Sequence, residues 1–502
     1  MSENGETSRR CRPRLAAMEL DLDHCYQALS ARDARFDGAF FVGVRSTGIY
    51  CRPICPARTP HKDRCDFFRN AASAERAGFR PCLRCRPELA PGQAAVDSVR
   101  RIAQLAAARI EAGVLNEGSV DRLAAEFGIG ARQLRRAIEA EYGVAPVELA
   151  QTRRLLLAKQ LLTESRLPVA DVAYASGFAS LRRFNALFSS RYGLNPTALR
   201  RGGAVAAVTG DQLHLKLAYR PPLAWPQLLA FLAGRGAAGV EAVVDGRYLR
   251  TVRLGQSRGW IAVSANTDGA ALNLDLSPSL LPVLTPLLAR LRALLDLDAQ
   301  PQIIAVHLAQ DPRLAAVVAR IPGLRVPGAF DGFELALRAI LGQQVTVKAA
   351  TTLFSRFAAK FGEPFTTPFP ALTHLSPEAS KIAEADLQSL IDLGLTQRRA
   401  ITIQTLARAF VERRITLQPS LDGEAAMAAL QAIPGIGPWT AHYIAMRALR
   451  LPDAFPHADL GLCKALGGVK PKAALALSEA WRPWRSYAAL YLWQSLNLES
   501  GG

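Results

Sequence analysis

Along the chain the spacing of apolar residues changes three times, and each change marks a boundary between segments of different structure. From Leu15 to about Arg86, short apolar and aromatic runs are interspersed with cysteines and prolines, and Pro87-Glu-Leu-Ala-Pro-Gly-Gln then reads as a linker. From Val96 to Arg200, Leu, Ala and Ile recur at three-to-four spacing with Gly or Pro at the stops, which predicts an all-helical module. Arg201-Gly-Gly-Ala links it onward. From Gln212 to about Asn273 the period shortens to two: His214-Leu-Lys-Leu-Ala-Tyr, Gly246-Arg-Tyr-Leu-Arg-Thr-Val-Arg-Leu and Trp260-Ile-Ala-Val-Ser alternate like strands, with a helical run at Leu228 to Leu232 between them. After Leu280 nearly everything reads as short helices stopped by Gly or Pro, to Trp493. The predicted class is a multidomain, mainly α chain with α+β parts, in segments 15–90, 96–201, 212–290 and 291–495.

Composition sharpens this picture in two places. The 502 residues carry 61 Lys and Arg against 43 Asp and Glu, a formal charge of +18, and the arginines recur through every segment, so a polyanionic partner is expected. Half of the residues are hydrophobic, enough for several cores and too many for a disordered tail. The polar start from Met1 to Arg14 lacks an apolar h-region, and the stretch from Leu280 to Leu295 is broken by Pro282, Pro286, Arg290 and Arg292. A cytoplasmic protein with no membrane partner is therefore expected. Of eight cysteines, seven lie between Cys11 and Cys85 and only Cys463 lies beyond, a clustering that favours metal ligation in a reducing compartment.

Cys51-Arg-Pro-Ile-Cys55 and Cys82-Leu-Arg-Cys85 form a C-x3-C and a C-x2-C pair separated by 26 residues. Two such pairs let four thiolates converge on one Zn²⁺ at about 2.3 Å each. A purely structural four-cysteine site is the alternative to a reactive one. Cys11, Cys25 and Cys65 lack comparable spacing; Cys65 with His61 reads as ordinary residues rather than a second ligand pair. The text around the pairs, Phe40-Phe-Val-Gly-Val-Arg-Ser-Thr-Gly-Ile-Tyr-Cys51-Arg-Pro-Ile-Cys55-Pro-Ala-Arg and Ala77-Gly-Phe-Arg-Pro-Cys82-Leu-Arg-Cys85-Arg-Pro, resembles the N-terminal domain of the Ada alkylation-response regulators. That resemblance implies that Cys51 accepts a methyl group from a DNA methyl phosphotriester. Four thiolates on Zn²⁺ leave a site charge of about −2, and conversion of Cys51 to a thioether removes one negative charge, so methylation is expected to strengthen DNA binding.

In the helical module, Ser119-Val-Asp-Arg-Leu-Ala-Ala-Glu-Phe-Gly-Ile-Gly-Ala-Arg-Gln-Leu-Arg-Arg predicts a capped helix, a glycine turn and a second helix bearing Arg132, Arg135 and Arg136. Val169-Ala-Asp-Val-Ala-Tyr-Ala-Ser-Gly-Phe-Ala-Ser-Leu-Arg-Arg-Phe repeats the design, with its turn at Ser176-Gly177 and with Arg182 and Arg183 on the following helix. Basic helices of this kind suit the major groove, although a charge run can equally be a solvated face. The whole stretch, ending in Phe184-Asn-Ala-Leu-Phe-Ser-Ser-Arg-Tyr-Gly-Leu-Asn-Pro, resembles the AraC-type DNA-binding domain, which implies promoter DNA and RNA polymerase as partners.

Leu430-Gln-Ala-Ile-Pro434-Gly435-Ile436-Gly437-Pro438-Trp439-Thr440-Ala441 predicts a helix, a tight hairpin and a second helix whose N-terminal N–H groups could hold a phosphate, with Gly435 and Gly437 letting the backbone come close. Asp459 follows 22 residues after Gly437 and could instead be a plain helix N-cap. Together with Val326-Pro-Gly-Ala-Phe-Asp-Gly-Phe-Glu, Arg338-Ala-Ile-Leu-Gly-Gln-Gln-Val-Thr-Val and Trp481-Arg-Pro-Trp-Arg-Ser-Tyr-Ala, the region from Gln212 to Leu496 resembles the AlkA-type 3-methyladenine glycosylases of the helix-hairpin-helix superfamily. The resemblance implies a catalytic Asp459, base-stacking Trp439, Tyr443 and Trp493, and damaged double-stranded DNA as substrate. Trp439 stands where relatives with lyase activity carry their Schiff-base lysine, which implies base excision without strand cleavage. With only Cys463 in this half, the four-cysteine iron–sulfur cluster of endonuclease III-like relatives is not expected. Gln344 departs from the family's leucine wedge; its amide can still fill space and hydrogen-bond an orphaned base.

The combined expectation is a bacterial, nucleoid-associated protein that senses alkylation through Cys51, activates transcription, and excises alkylated bases such as 3-methyladenine through Asp459. The Ada family's C-terminal methyltransferase motif, Pro-Cys-His-Arg, is absent, so O6-alkylguanine repair is not expected. The alternatives are a regulator whose glycosylase-like half only binds DNA, and an enzyme whose N-terminal domains only tether it. Little coupling between Cys51 and the distant glycosylase is expected across the linker.

Overall fold

The computed structural model describes residues 22–33, 36–37, 40–68, 71–87, 95–201, 212–419 and 423–499. Cys11, most of the first linker and Gly202 onward in the second lie outside these residues. The chain divides into two compact units, Met1–Arg101 and Ile102–Gly502.

The first unit is built on a four-stranded sheet, β1 (Phe41–Val44), β2 (Ile49–Cys51), β3 (Cys65–Phe68) and β4 (Arg80–Pro81), in the order β3-β1-β2-β4. Helices α1 (Leu22–Ser30) and α2 (Ala71–Arg76) accompany it. Gly43 is required in β1, because a Cβ there would stand 2.8 Å from the rings of Phe68 and Phe79. β4 pairs with β2 in parallel, Ile49 opposite Arg80 and Tyr50 opposite Pro81. The residues that follow these pairs are Cys51 and Cys82.

Helix α3 (Ala95–Glu111) runs across the division. The second unit continues with α4 (Val114–Glu117), α5 (Val120–Ala125), α6 (Ala131–Tyr142), α7 (Pro146–Glu164), α8 (Val169–Ala175), α9 (Leu181–Tyr192) and α10 (Pro196–Arg201). The two halves share their local chemistry. Ser119 and Ser180 accept the Arg122 and Arg183 backbone N–H as N-caps, and α6 and α9 both end on left-handed glycines, Gly143 and Gly193.

A five-stranded antiparallel sheet follows: β5 (Leu213–Ala218), β6 (Glu241–Val244), β7 (Arg247–Leu254), β8 (Ser257–Ala265) and β9 (Ala271–Leu276), in the order β5-β9-β8-β7-β6. Helix α11 (Trp225–Arg235) covers the run read as helical between the first strands. β6 and β9 complete the sheet beyond the three strands that alternation marked. The rest is helical: α12 (Leu284–Leu294), α13 (Pro301–Leu308), α14 (Pro312–Arg320), α15 (Gly332–Leu341), α16 (Val347–Phe361), then, after a small β10/β11 ladder (Glu363–Pro364, His374–Leu375), α17 (Ala379–Glu384), α18 (Leu387–Ile391), α19 (Gln397–Val411), α20 (Gly423–Gln431), α21 (Pro438–Arg447), α22 (Leu460–Ala465), α23 (Pro471–Ser478) and α24 (Arg485–Glu499).

The second half of the helical module does not stand apart from the sheet. Phe184 and Phe188 of α9 lie in one buried apolar cluster with Leu215 of β5, Leu274 of β9 and Leu287 of α12. At the edge of this shared core the Gln160 amide donates to the Lys216 carbonyl (2.8 Å), and the Lys216 backbone N–H donates to Glu164 Oε2 (3.1 Å). The first half, α3 to α6, keeps its own core around Leu123, Leu134 and Ile138. A charge network ties the sheet to the helices, with Arg250, Glu241 and Glu334 buried and Arg338 at its partly exposed rim: Arg250 reaches Glu241 (2.8 Å) and Glu334, and Arg338 reaches Glu334 (2.8 Å) and Glu241.

Candidate metal centre and base-excision site

Parallel pairing of β2 with β4 carries Cys51 and Cys82 to the same end of the sheet, and the tight turns that follow return Cys55 and Cys85 to them. The four sulfurs lie within 4.8 Å of one another. Arg52, fully buried, locks the two turns together: its backbone N–H donates to Cys85 Sγ (3.4 Å), Nη1 to the Cys85 carbonyl (3.2 Å), and Nε to Asp37 (2.8 Å). Neither Arg52 nor Asp37 stands out in the sequence, since their pairing exists only once the sheet forms.

Crowding makes the thiols compete for negative charge. Hydrogen bonds from Cys51 and Cys85 lower Cys55 to about 2, whereas the bonds that Cys51 makes to Cys55 and Cys85, with burial, push Cys51 up. Several thiolates can coexist here only beside a cation, and soft sulfur donors in fours suit Zn²⁺, so these residues fit the metal. Cys55, Cys82 and Cys85 are buried, and Cys51 alone of the four is partly exposed. Cys65 is apart from this cluster, its thiol donating to the His61 carbonyl (3.3 Å).

In the second unit, Arg132, Arg135 and Arg136 on α6, and Arg182 and Arg183 on α9, are all exposed, while Leu134, Ile138, Phe184 and Phe188 on the same helices are buried. Both helices thus present basic outer faces.

The hairpin between α20 and α21 has two unlike glycines. Gly435 has φ +97°, and a Cβ there would stand 2.2 Å from Thr402 Oγ1, so the hairpin itself requires glycine. Gly437 has an ordinary φ of −89° as N-cap of α21, and a Cβ there would meet open space. Its freedom is not used by any described part of this chain. Gln343 bridges the hairpin to α15, its amide donating to the Gly435 carbonyl and Thr440 Oγ1, both at 2.9 Å. The next residue, Gln344, is exposed and held at φ +55°, an uncommon conformation for a side-chain-bearing residue.

Asp459 stands at the centre of the aromatic group named from the sequence. Oδ1 accepts the Trp493 indole N–H (2.9 Å) and the Leu462 backbone N–H (3.0 Å), and Oδ2 accepts the Trp439 indole N–H (2.9 Å). The N-cap reading of Asp459 is therefore correct as structure, and the indole bonds add a second environment that a plain cap lacks. The Trp439 and Tyr443 rings stack at 5.5 Å and 11°. Two arginines that the sequence did not single out, Arg235 and Arg447, lie against Tyr443. Their only sequence signal is basic character at the ends of apolar helices.

Four family models match successive segments: metal binding domain of Ada (residues 24–88), helix-turn-helix domain (123–202), AlkA N-terminal domain (214–331) and HhH-GPD superfamily base excision DNA repair protein (337–485). The chain is 38% identical over 277 residues to the "DNA-3-methyladenine glycosylase 2" of Escherichia coli, covering 55% of this chain and 95% of that protein. It is 32% identical over 187 residues to the "Bifunctional transcriptional activator/DNA repair enzyme Ada" of Escherichia coli, covering 37% of this chain and 51% of that one. Among described residues, no helix is long and apolar enough to cross a membrane. To the "Probable bifunctional transcriptional activator/DNA repair enzyme AlkA" of Mycobacterium tuberculosis it is 40% identical over 487 residues, 95% of this chain and 97% of that protein, and with all four domains in the same chain it belongs to this family of bifunctional regulator and repair proteins.

Proposed function

We propose that the chain is an alkylation-response activator and a monofunctional DNA glycosylase in one polypeptide. The observation that carries the repair half is Asp459, whose two oxygens are fixed by Trp439, Trp493 and Leu462 beside a stacked aromatic pair. Trp439, Tyr443 and Trp493 would stack on a base rotated out of the duplex, with Gln344 entering the space it leaves. Asp459 would then face the sugar, where its negative charge stabilises the oxocarbenium-like centre as the glycosidic bond breaks and water adds. Cationic bases such as 3-methyladenine leave as neutral molecules, so little acid assistance is needed. Backbone N–H groups at Gly437 and the start of α21 would hold a phosphate of the damaged strand.

In the first unit Cys51, Cys55, Cys82 and Cys85 would hold Zn²⁺, which keeps thiolates deprotonated at neutral pH. Cys51 Sγ attacks the methyl carbon of a phosphotriester in line, forming the S–C bond as the C–O bond breaks and the phosphodiester departs with the electron pair. Loss of one thiolate charge strengthens attraction to DNA, and Arg132, Arg135, Arg136, Arg182 and Arg183 would read or position the promoter for RNA polymerase.

The deciding experiment measures release of 3-methyladenine from methylated duplex DNA by wild type and by Asp459→Asn. Release that collapses in the variant supports the reading. No release from folded, DNA-binding wild type would leave a regulator whose second half is inactive, with mass analysis of Cys51 after exposure to methylated DNA testing the sensor separately.

A further inference from the structure

The turn that joins α15 to α16 holds Gln344 in a conformation that its residue type does not favour. Its φ of +55° lies in the left-handed region, where a Cβ crowds the neighbouring backbone and where glycine or asparagine is the usual occupant. Left to itself, a turn of this sequence relaxes to negative φ, so the conformation persists only because surrounding groups fix the peptide that precedes it. Two anchors do so from opposite sides.

The first is the side chain of Gln343. Its amide nitrogen carries two protons and uses both, one on the Gly435 carbonyl and one on Thr440 Oγ1, each at 2.9 Å. A carbonyl can only accept, so the bond to Gly435 settles which end of the amide faces the hairpin. The second anchor is Arg399 of α19, half-buried, whose Nη2 donates to the Gln343 carbonyl at 2.7 Å. That carbonyl belongs to the peptide joining Gln343 to Gln344, so its orientation sets the plane about which Gln344 turns. Three residues further along α19, Thr402 donates to the Pro434 carbonyl in the hairpin (2.9 Å). Positions three apart share a helix face, so one face of α19 grips both the turn and the hairpin, and Gln343 closes the triangle between them. None of these bonds uses the Gln344 side chain, which is exposed.

We propose that Gln343 and Arg399 are positioning residues that hold Gln344 in its left-handed conformation, presetting its side chain at a fixed place beside the hairpin so that it enters damaged duplex DNA without first having to order. A glutamine on a loose turn loses backbone freedom when it enters a base stack, whereas one already fixed loses far less. The same bonds set its distance from the hairpin N–H groups proposed to hold the damaged strand, so Gln344 enters beside the nucleotide that the hairpin grips. Entry into the duplex rests on the glycosylase reading; the anchoring of the turn does not.

A crystal structure of Gln343→Met/Arg399→Met without DNA, with the fold checked by circular dichroism, tests the anchoring. Residue 344 should leave the left-handed region, and retention of its positive φ would overturn the proposal. Entry is read with a duplex carrying 2-aminopurine beside a tetrahydrofuran abasic analogue, whose fluorescence rises when a side chain unstacks it. At saturating protein, Arg399→Met should diminish that rise, and it should slow single-turnover release of 3-methyladenine by about tenfold. In a Gln344→Ala background the same substitution should change neither reading, because the residue through which it acts is gone. Equal losses in both backgrounds would overturn the proposal. So would an equal loss in Arg398→Met, which removes an exposed charge from the same turn of α19. If wild type raises the fluorescence but releases no base, the glycosylase reading fails and the fluorescence cycle still decides the positioning. No rise with bound wild type would overturn entry of Gln344 into the duplex.

Discussion

Trp439 and Asp459, twenty residues apart, are joined by a 2.9 Å bond from the indole N–H to the carboxylate, and Trp493 meets the other oxygen of the same carboxylate at the same distance. The aromatics proposed to hold the base thus also aim the proposed catalytic group. Trp439→Phe keeps a ring to stack on Tyr443 but deletes that donor. Excision should fall by roughly tenfold, the scale of one hydrogen bond to a charged group, with the melting temperature nearly unchanged. Single-turnover release of 3-methyladenine measures it, and an unchanged rate would remove the indole from the mechanism.

The two hairpin glycines should respond in opposite ways. Gly435→Ala forces a Cβ onto Thr402 at a positive φ and should destabilise the protein by about 1–3 kcal/mol. Gly437→Ala meets open space and should leave stability within about 0.5 kcal/mol of wild type while weakening binding to damaged duplex. Denaturant melts paired with binding titrations separate the two effects. Undiminished DNA affinity in Gly437→Ala would refute a phosphate at that site.

Because Phe188 is buried in the core that α9 shares with the sheet and α12, Phe188→Ala should cost about 3–5 kcal/mol. The loss should appear in both modules at once, lowering the thermal midpoint of operator binding and of base excision together. Loss of operator binding alone would show that the modules unfold independently.

Acid should weaken the link between sheet and helices. Burial raises Glu334, but Arg250 and Arg338 pull it further the other way, to about 2 against an ordinary 4.5. A carboxylate with a depressed folded value contributes stability that is complete above the ordinary value and lost as pH falls from about 4.5 toward 2. Glu334→Gln should therefore be less stable by about 3–5 kcal/mol at neutral pH, with the gap to wild type closing as acid is added. A gap independent of pH would assign the loss to packing instead.

Chelation of the metal should unfold the first unit and leave the second intact, because four crowded thiolates repel one another without a cation whereas the second unit has its own apolar cores. Circular dichroism and zinc release should change together while excision persists. Cys51→Ser should abolish methyl uptake measured by mass, and Cys85→Ser, at a fully buried ligand, should in addition release the metal.

Much of the site was legible because its chemistry is local. Spacing alone brought Cys51, Cys55, Cys82 and Cys85 forward, since two short turns can each hold a pair of ligands whatever surrounds them. The Ser119 and Ser180 caps, the glycine turns and the hairpin were readable for the same reason: each is satisfied within a few residues. Asp459 was less determined, because a capping aspartate and a catalytic one look alike in sequence, and the indole bonds it receives from Trp439 of α21 and Trp493 of α24 exist only in the fold.

The sequence by itself determined the order of modules, the helical and strand periods, the zinc ligands and the candidate aspartate, since these depend on neighbours along the chain and on residue chemistry. Tertiary structure alone decided that Arg52 braces the thiols through Asp37, that α9 shares its core with the sheet, and that Arg235 and Arg447 converge on Tyr443. The reason is physical. Arg235 and Tyr443 are separated by more than two hundred positions, and the energy of a buried guanidinium depends on distance, burial and partner in space, quantities that no local pattern of residues encodes.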